Sequence, residues 1–192
     1  MWVTRVKQPQ NNQLRIIAGQ WRGRKLTFPD LPGLRPTTDR IRETLFNWLQ
    51  ADIIGARCLD LFAGSGALGF EALSRNADSV VFVDSAAAAI NQIKKNLLVL
   101  NDQNGLTHQI DAVSFLNTYK EEPFDLIFLD PPFNKGLLET CIKVLQQSKC
   151  LKSQGLIYVE CEKQLTVGIP EDWLVLKEKK AGQVKYMLFE KS

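Results

Sequence analysis

The sequence has one histidine, His108, and four cysteines that form neither a C-x-x-C pair nor a zinc-like spacing. Serine–histidine and metal-centred mechanisms therefore lack the partners they require, and we expect no metal site. No cysteine occupies a nucleophile position. The sequence also lacks a G-x-x-x-x-G-K-[ST] segment, which argues against phosphate hydrolysis. These absences leave chemistry that depends on carboxylates, backbone groups or a bound cofactor.

Long hydrophobic runs are missing as well. No stretch approaches the roughly 20 apolar residues of a membrane span, and the polar N-terminus has no signal-peptide form. The 192 residues, 45% hydrophobic and 23% charged, have the composition of an ordinary globular protein. We expect a soluble cytoplasmic protein with reduced thiols.

The net charge of +3 is unevenly distributed along the chain. Residues 1–42 hold nine basic and two acidic residues, a net charge of +7, whereas the remaining 150 residues hold 15 basic and 19 acidic ones, a net charge of −4. A basic N-terminal section on a mildly acidic body favours contact with a polyanion such as a nucleic acid. Its candidate contact residues are Arg22, Arg24, Lys25, Arg35 and Arg40.

The N-terminal part is predicted to be separate from the main domain. Residues 1–13 have the composition of a flexible leader. Residues 14–50 form a basic extension, with strands at 14–18 and 25–28 joined by a glycine-bounded turn, then a proline-rich loop. Thr37 and Thr38 are N-cap candidates for a helix that runs to about Gln50. Residues 51–192 form the main domain.

Short apolar runs alternate with helical patterns from Arg57 onward. Helices are predicted at 67–75, 86–100 and near 137–147, between strands at 58–61, 79–83, 107–110, 124–129 and 156–159. This alternation predicts an α/β fold with a doubly wound parallel sheet covered on both faces. Two more strands, at 174–176 and 185–189, have no helix between them. They should add an antiparallel pair at one side, giving a mostly parallel seven-stranded sheet.

A glycine-rich turn follows the first of these strands. Gly64, Gly66 and Gly69 satisfy G-x-G-x-x-G between a strand and a helix, and Asp84 ends the next strand twenty residues beyond Gly64. This pattern predicts a nucleoside cofactor with its ribose hydroxyls on Asp84. The residues predicted to lie along the cofactor are Asp60, Phe62, Gly64, Ser65 and Gly66.

Asp60 distinguishes between two possible cofactors. The glycine pattern alone would equally suit NAD, but Asp60 lies just ahead of the glycines. Its carboxylate should point near the middle of the ligand, where it would repel a pyrophosphate. S-adenosylmethionine carries an ammonium and a sulfonium instead, so a carboxylate there is attractive. The sequence therefore favours S-adenosylmethionine.

Further polar residues are predicted to border the same crevice, because ligands bind outside the carboxyl ends of parallel strands. Asp111 follows the third strand and could accept a hydrogen bond from the adenine amino group, or simply cap a helix. Thr37 and Thr38 lie at a helix N-terminus that could hold the methionine carboxylate. Simple capping explains these two threonines equally well.

Asp130-Pro131-Pro132-Phe133 follows the fourth strand and is the most specific feature of the sequence. An exocyclic amine on a base is a poor nucleophile, because its lone pair is delocalised into the ring. The Asp130 carboxylate and the Pro131 carbonyl could accept hydrogen bonds from the amine and draw its nitrogen toward pyramidal geometry. Pro132 stiffens the turn, and Phe133 would stack on the base.

These segments resemble the bacterial 16S ribosomal RNA (guanine-N2)-methyltransferases that modify the helix-31 loop. The resemblance lies in residues 16–26, 34–47, 58–75, 124–136 and 182–184, in family order. It implies a class I, Rossmann-like methyltransferase sheet, a monomer and action on assembled small-subunit particles. It also implies a ribose-binding role for Asp84, a catalytic turn at residues 130–133, and placement of Arg22, Arg24 and Arg35 toward the RNA.

Other functions remain open at this point. The same fold and turn would suit adenine N6 in nucleic acid or a glutamine amide in a protein. A non-catalytic RNA-binding assembly factor and an NAD-linked oxidoreductase are further alternatives, and the intact Asp-Pro-Pro-Phe turn argues against the former.

Overall fold

A two-stranded antiparallel hairpin, formed by β1 (Asn12–Arg15) and β2 (Lys25–Phe28), begins the described part of the chain. The computed structural model describes residues 12–31, 37–133, 135–166 and 168–192. β2 has the predicted bounds, whereas β1 begins two residues earlier and ends three residues earlier than predicted. Asn12 and Gln13, expected in the leader, therefore belong to the hairpin.

The early end of β1 has a clear cause. The backbone N–H groups of Ile17 and Ala18 donate to the two carboxylate oxygens of Glu71, at 2.8 and 3.0 Å, instead of to a neighbouring strand. Ile16 still donates to the Arg24 carbonyl at 2.9 Å, and the pairing stops at Ile17 because each backbone N–H can donate to only one such partner. The hairpin is thus attached to the main domain by a side chain 53 residues away.

The helix α1 (Asp39–Trp48) begins at the predicted cap residue, Thr38. Its predicted end at Gln50 is two residues late, because Leu49 is the C-cap. One face of α1 is buried against the sheet and shares an apolar cluster with the hairpin and the sheet; its members from this segment are Ile41, Leu45, Phe46 and Leu49. The predicted boundary between extension and main domain, near residue 50, stays a prediction.

The main sheet has the strand order β5-β4-β3-β6-β7-β9-β8. Its first five strands are parallel: β3 (Arg57–Asp60), β4 (Ser79–Asp84), β5 (Gly105–Gln109), β6 (Phe124–Leu129) and β7 (Leu151–Glu162). β8 (Trp173–Ala181) and β9 (Val184–Lys191) are antiparallel to each other, and β9 is antiparallel to β7. The predicted mostly parallel sheet of seven strands is confirmed.

Helices cover both faces of this sheet. They are α2 (Ala67–Ser74), α3 (Ala87–Leu100), α4 (Ala112–Thr118) and α5 (Leu137–Gln147). α1, α2 and α3 contribute to one apolar cluster, and α4 and α5 contribute to the other. Within the described ranges, no helix is both long enough and apolar enough to cross a membrane.

Further differences from the sequence-based expectation are found in α4, β7 and β8, the last of which was predicted at 174–176 and spans Trp173–Ala181. α4 was not predicted, because its seven residues are too few for a helical period to stand out. β7 extends to Leu151 on one side and Glu162 on the other, well beyond the predicted 156–159. At its C-terminal end β7 pairs with β9 through Glu162, and at its N-terminal end Leu151 pairs with Phe124 of β6, so two different neighbours lengthen this strand.

Candidate active site

Four carboxyl groups lie at or near the carboxyl ends of four neighbouring strands: Asp84 on β4, Asp60 on β3, Asp130 directly after β6, and Glu160 on β7. Side chains alternate between the two faces of a strand, so each acid shares a face with the residue two positions before it. In all four strands that earlier residue belongs to the apolar cluster of α1, α2 and α3; these residues are Cys58, Phe82, Phe128 and Tyr158. The four acids therefore lie on one face of the sheet, with Asp60 level with Phe82 and Phe128 and thus two residues deeper along the strands than Asp84 and Asp130. Parallel strands end together here, which defines a crevice.

The glycine turn after β3 is tied to the end of β4 by Asp84. Oδ2 of Asp84 accepts from the N–H of Gly64 at 2.8 Å, and Oδ1 accepts from the N–H of Ala86 at 2.8 Å. Gly64 and Gly66 have φ of +50° and +77°, a region that L side chains rarely adopt. A Cβ on Gly66 would lie 2.6 Å from the Phe70 ring. This turn thus requires glycine for both conformation and space.

Asp60 lies beneath this turn and is 3% exposed. Its Oδ2 accepts from the N–H of Gly69, in the first turn of α2, at 3.1 Å. Gly66, the N-cap of α2, has no side chain to offer, so Asp60 takes the capping role. The pKa of Asp60 is raised to about 7, mainly by burial and also by the nearby Asp130 and Asp84, while the hydrogen bond from Gly69 lowers it. The carboxylate points into the helix end, and its predicted contact with the cofactor stays a prediction.

The turn after β6 presents Asp130. Its Oδ2 accepts a 3.0 Å hydrogen bond from the hydroxyl of Thr37, which is 7% exposed. Burial raises the pKa of Asp130 to about 6, while the bond from Thr37 lowers it. Pro131 is buried, Pro132 is exposed, and Phe133 is 36% exposed. The structure therefore brings a rigid acid–proline turn and an accessible aromatic ring together.

Two other predicted cofactor residues act as helix caps. The Thr38 hydroxyl accepts from the N–H of Ile41 at 3.4 Å, at the start of α1. Oδ1 of Asp111 accepts from the N–H of Ser114 at 2.9 Å, at the start of α4, and this bond lowers the pKa of Asp111. The capping alternative holds for both residues, and their contacts with a cofactor remain predictions. Ser65 is buried and Phe62 is half-buried in the glycine turn.

Glu160 is a site residue that sequence reasoning missed. It is 5% exposed, and its Oε2 accepts a 2.8 Å hydrogen bond from the Tyr158 hydroxyl. Leu129 and Val159 are register partners, so Glu160 lies beside Asp130 on the next strand. Burial raises the pKa of Glu160 to about 8, and the charge of Asp130 raises it as well. A charged residue directly after the apolar run 156–159 was the available signal.

The basic residues of the extension are accessible. Arg22, Arg24, Lys25 and Arg40 are all exposed, and Arg24 also donates to the carbonyl of Val99 at 3.3 Å. Arg35 lies outside the described residues. An exposed cluster of cations suits a phosphate backbone.

The turn at residues 19–23, which carries Arg22, is hydrogen-bonded to the C-terminal end of α2. The Ser74 carbonyl accepts from the N–H of Gln20 at 2.7 Å, and the Ser74 hydroxyl donates to the carbonyl of Ala18 at 2.6 Å. A Cβ on Gly19 would lie 1.8 Å from the Ser74 carbonyl oxygen, so only glycine allows this approach. The basic turn is therefore fixed relative to the crevice.

The strand order, the glycine turn after β3 and the acid–proline turn after β6 define a Rossmann-like methyltransferase fold. A family model described as conserved hypothetical protein 95 matches residues 14–190, and the chain belongs to that family. Ribosomal RNA small subunit methyltransferase D of Escherichia coli is 49% identical over 190 residues, which cover 97% of this chain and 96% of that protein.

Two further comparisons agree. The protein of the same name from Haemophilus influenzae is 49% identical over 181 residues, covering 93% of this chain and 94% of that protein. The solved structure of the Escherichia coli protein yhhF has a TM-score of 0.87 at 49% identity and covers 94% of this chain and 99% of that chain. Family and fold are thus established together, and the resemblance found in the sequence is confirmed.

Proposed function

We propose that this chain transfers a methyl group from S-adenosylmethionine to the exocyclic N2 amine of a guanine in 16S ribosomal RNA of the small subunit. The observation that carries the proposal is the position of Asp130. Its carboxylate is held by Thr37 at the end of β6, beside the glycine turn of β3 and next to an accessible Phe133.

The crevice fits a cationic methyl donor better than a dinucleotide. In a dinucleotide site the N-terminus of the helix after the glycine turn holds the pyrophosphate. Here Asp60 already accepts from the N–H of Gly69 at that helix end, and Asp84 lies one strand away. A pyrophosphate would face the Asp60 carboxyl group, whereas a sulfonium and an ammonium would be attracted to it; an acid at the position of Asp84 suits either cofactor, because it binds ribose hydroxyls. When bound, S-adenosylmethionine supplies an activated methyl group.

The protein's contribution is to position and polarise the acceptor amine. The Asp130 carboxylate and the Pro131 carbonyl each accept a hydrogen bond from one N–H group of the amine, and Phe133 stacks on the flipped base. Aimed acceptors of this kind contribute roughly 10²–10³ in rate each. The amine loses one proton after the methyl has moved, and Asp130 or water takes it.

The exposed cations Arg22, Arg24, Lys25 and Arg40 provide the RNA-binding surface of the proposal, together with Arg35 from the sequence. The names of the Escherichia coli and Haemophilus influenzae relatives support a small-subunit ribosomal RNA as substrate. The guanine N2 atom is our own assignment, from the planar-amine chemistry of the turn and the family resemblance.

The test is to incubate the protein and labelled S-adenosylmethionine with small subunits that lack this modification, then map the labelled nucleotide. We expect one label, on the N2 amine of a 16S guanine, with bare RNA a poorer substrate. Label on adenine N6 or on a protein glutamine would support the alternative substrates. Binding of RNA with no transfer at all would identify an assembly factor instead.

A further inference from the structure

Glu160 is a buried carboxyl group that the proposed methyl transfer does not use. It lies next to Asp130 on the neighbouring parallel strand, on the side away from the glycine turn, because the order is β3-β6-β7. Adjacent strands are about 4.8 Å apart, so a base held by Asp130 would extend over Glu160. Within the described part of the chain, Tyr158 is its one hydrogen-bond partner, on Oε2.

We propose that Glu160 binds the O6 and N1–H edge of the guanine whose N2 amine is held by Asp130, and thereby selects guanine over other purines. The inference rests on the proposed function and deepens it, since it names the residue that reads the base.

The hydrogen-bonding pattern of guanine fits two neighbouring carboxyl groups in different protonation states. Its edge presents, in order, the O6 acceptor, the N1–H donor and the N2 amine. A protonated carboxyl group pairs with the first two, because its O–H donates to O6 and its other oxygen accepts from N1–H. An ionised carboxylate next to it accepts from the amine. Adenine held by its amine would present an unprotonated N1 and no O6.

The environment of Glu160 favours the protonated form. Burial and the charge of Asp130 both raise its pKa, to about 8, whereas the bond from Tyr158 lowers it. Tyr186 on β9 lies opposite Glu160 in the ladder. The Tyr158 hydroxyl fixes Oε2 as an acceptor, so Oε1 carries the proton. Asp130, with the lower pKa, is the ionised member of the pair.

The test compares a guanine with 2-aminopurine at the target position of a reconstituted small subunit. 2-Aminopurine keeps the amine and the ring but lacks O6 and N1–H. We expect the wild type to prefer guanine by 10²-fold or more in kcat/KM, as in sites built around substrate hydrogen bonds. Glu160→Ala should reduce that preference to below tenfold. A preference unchanged in Glu160→Ala would overturn the inference.

Glu160→Gln is the matched variant, because a side-chain amide has the same shape and also offers one donor and one acceptor. It should keep kcat/KM for guanine within about tenfold of wild type. Wild-type activity should fall above pH 8 as Glu160 loses its proton, and the Glu160→Gln profile should stay flat there. A Glu160→Gln variant that melts like wild type but loses 10³-fold in kcat/KM would overturn the inference.

The two proposals fail in different ways. If the wild type places no methyl group on guanine N2, the proposed function itself fails. If it does so, and Glu160→Ala keeps the full preference over 2-aminopurine, only the role of Glu160 fails. Melting temperature and S-adenosylhomocysteine affinity, measured for each variant, separate a lost base contact from a lost fold.

Discussion

The hydroxyl of Thr37 donates to Oδ2 of Asp130 at 3.0 Å, joining the N-terminal extension to the turn after β6. The two residues are 93 positions apart in the chain. The sequence offered two roles for Thr37, a contact with the cofactor carboxylate or a helix cap. In the structure Thr38 is the cap and the Thr37 hydroxyl donates to Asp130, while the cofactor contact stays a prediction. The extension therefore does more than carry basic residues, because Thr37 lowers the pKa of the proposed catalytic carboxylate, against the effect of burial.

Removing this hydrogen bond should change the pH dependence of turnover. Thr37→Val takes away a donor that lowers the pKa of Asp130, so the pKa should rise above about 6. A hydrogen bond to a charged group contributes about 1.5–3 kcal/mol, and about 1.4 kcal/mol corresponds to one pKa unit. The acid limb of kcat should move up by roughly one pH unit. Thr37→Ser, which keeps the hydroxyl, should retain the wild-type pH profile of kcat. If Thr37→Val and Thr37→Ser gave the same profile, the Thr37 hydroxyl would not control the pKa of Asp130.

Asp130→Ala should separate chemistry from cofactor binding. Loss of one aimed acceptor should lower kcat by about 10²–10³ or more. The affinity for S-adenosylhomocysteine, measured by calorimetry, should change by no more than a few fold, since Asp130 faces the acceptor amine. The control is Asp78→Ala. Asp78 is an exposed acid just before the N-terminal end of β4, far along the strands from the crevice, and its loss should leave kcat unchanged. Equal loss of turnover and cofactor affinity would refute the role of Asp130.

Much of the fold could be read from local patterns. The strand 124–129 and the helix 137–147 were predicted with their observed bounds, since one is apolar at every position except Asp125 and the other is a regular amphipathic helix. The glycine turn and the Asp-Pro-Pro-Phe turn were also visible, because their residue types are required by local conformation.

The contacts that complete the site could not be predicted in this way. Glu71 lies within a helical pattern and looks like a solvated charge, yet it is fully buried because the hairpin folds over it. Glu160 follows an apolar run and looks like the end of a strand, yet β9 and Tyr158 enclose it. Both depend on pairings between distant segments, which single-sequence periodicity does not contain.

Alanine substitutions of two glycines, Gly66 in the turn after β3 and Gly136 before α5, should distinguish backbone strain from steric overlap. Gly66 and Gly136 have similar φ, +77° and +65°, but a Cβ on Gly66 meets the Phe70 ring at 2.6 Å and one on Gly136 meets nothing within 4 Å. Gly136→Ala should cost only the left-handed conformation, about 1–2 kcal/mol. Gly66→Ala should cost more than that and weaken S-adenosylhomocysteine binding at least tenfold. Chemical denaturation and calorimetry would measure both, and similar losses in the two variants would show that space near Phe70 is not limiting.

The exposed cations of the hairpin turn should act through electrostatics. Neutralising Arg22 and Lys25 should raise KM for small subunits and reduce the slope of log affinity against log salt by roughly one for each lost phosphate contact. Cofactor affinity should not change, because neither residue lies in the crevice. Lys143→Ala is the matched control. Lys143 is an exposed lysine of α5, which covers the face of the sheet opposite to the hairpin. A salt slope that is unaffected in the double variant would place the RNA elsewhere.

The buried acids should make the cofactor-free protein less stable as pH rises. Asp60 and Glu160 have folded-state pKa values of about 7 and 8, raised mainly by burial above their ordinary values near 4. Between pH 5 and 8 the folded state therefore binds more protons than the unfolded one, and the free energy of unfolding decreases with pH. Asp111 and Asp125, whose pKa values are lowered, act below this window. We expect a loss of at least about 1 kcal/mol across the window and a smaller loss for Glu160→Gln, measured by urea unfolding. A stability that rises from pH 5 to 8 would contradict the raised pKa values of these two groups.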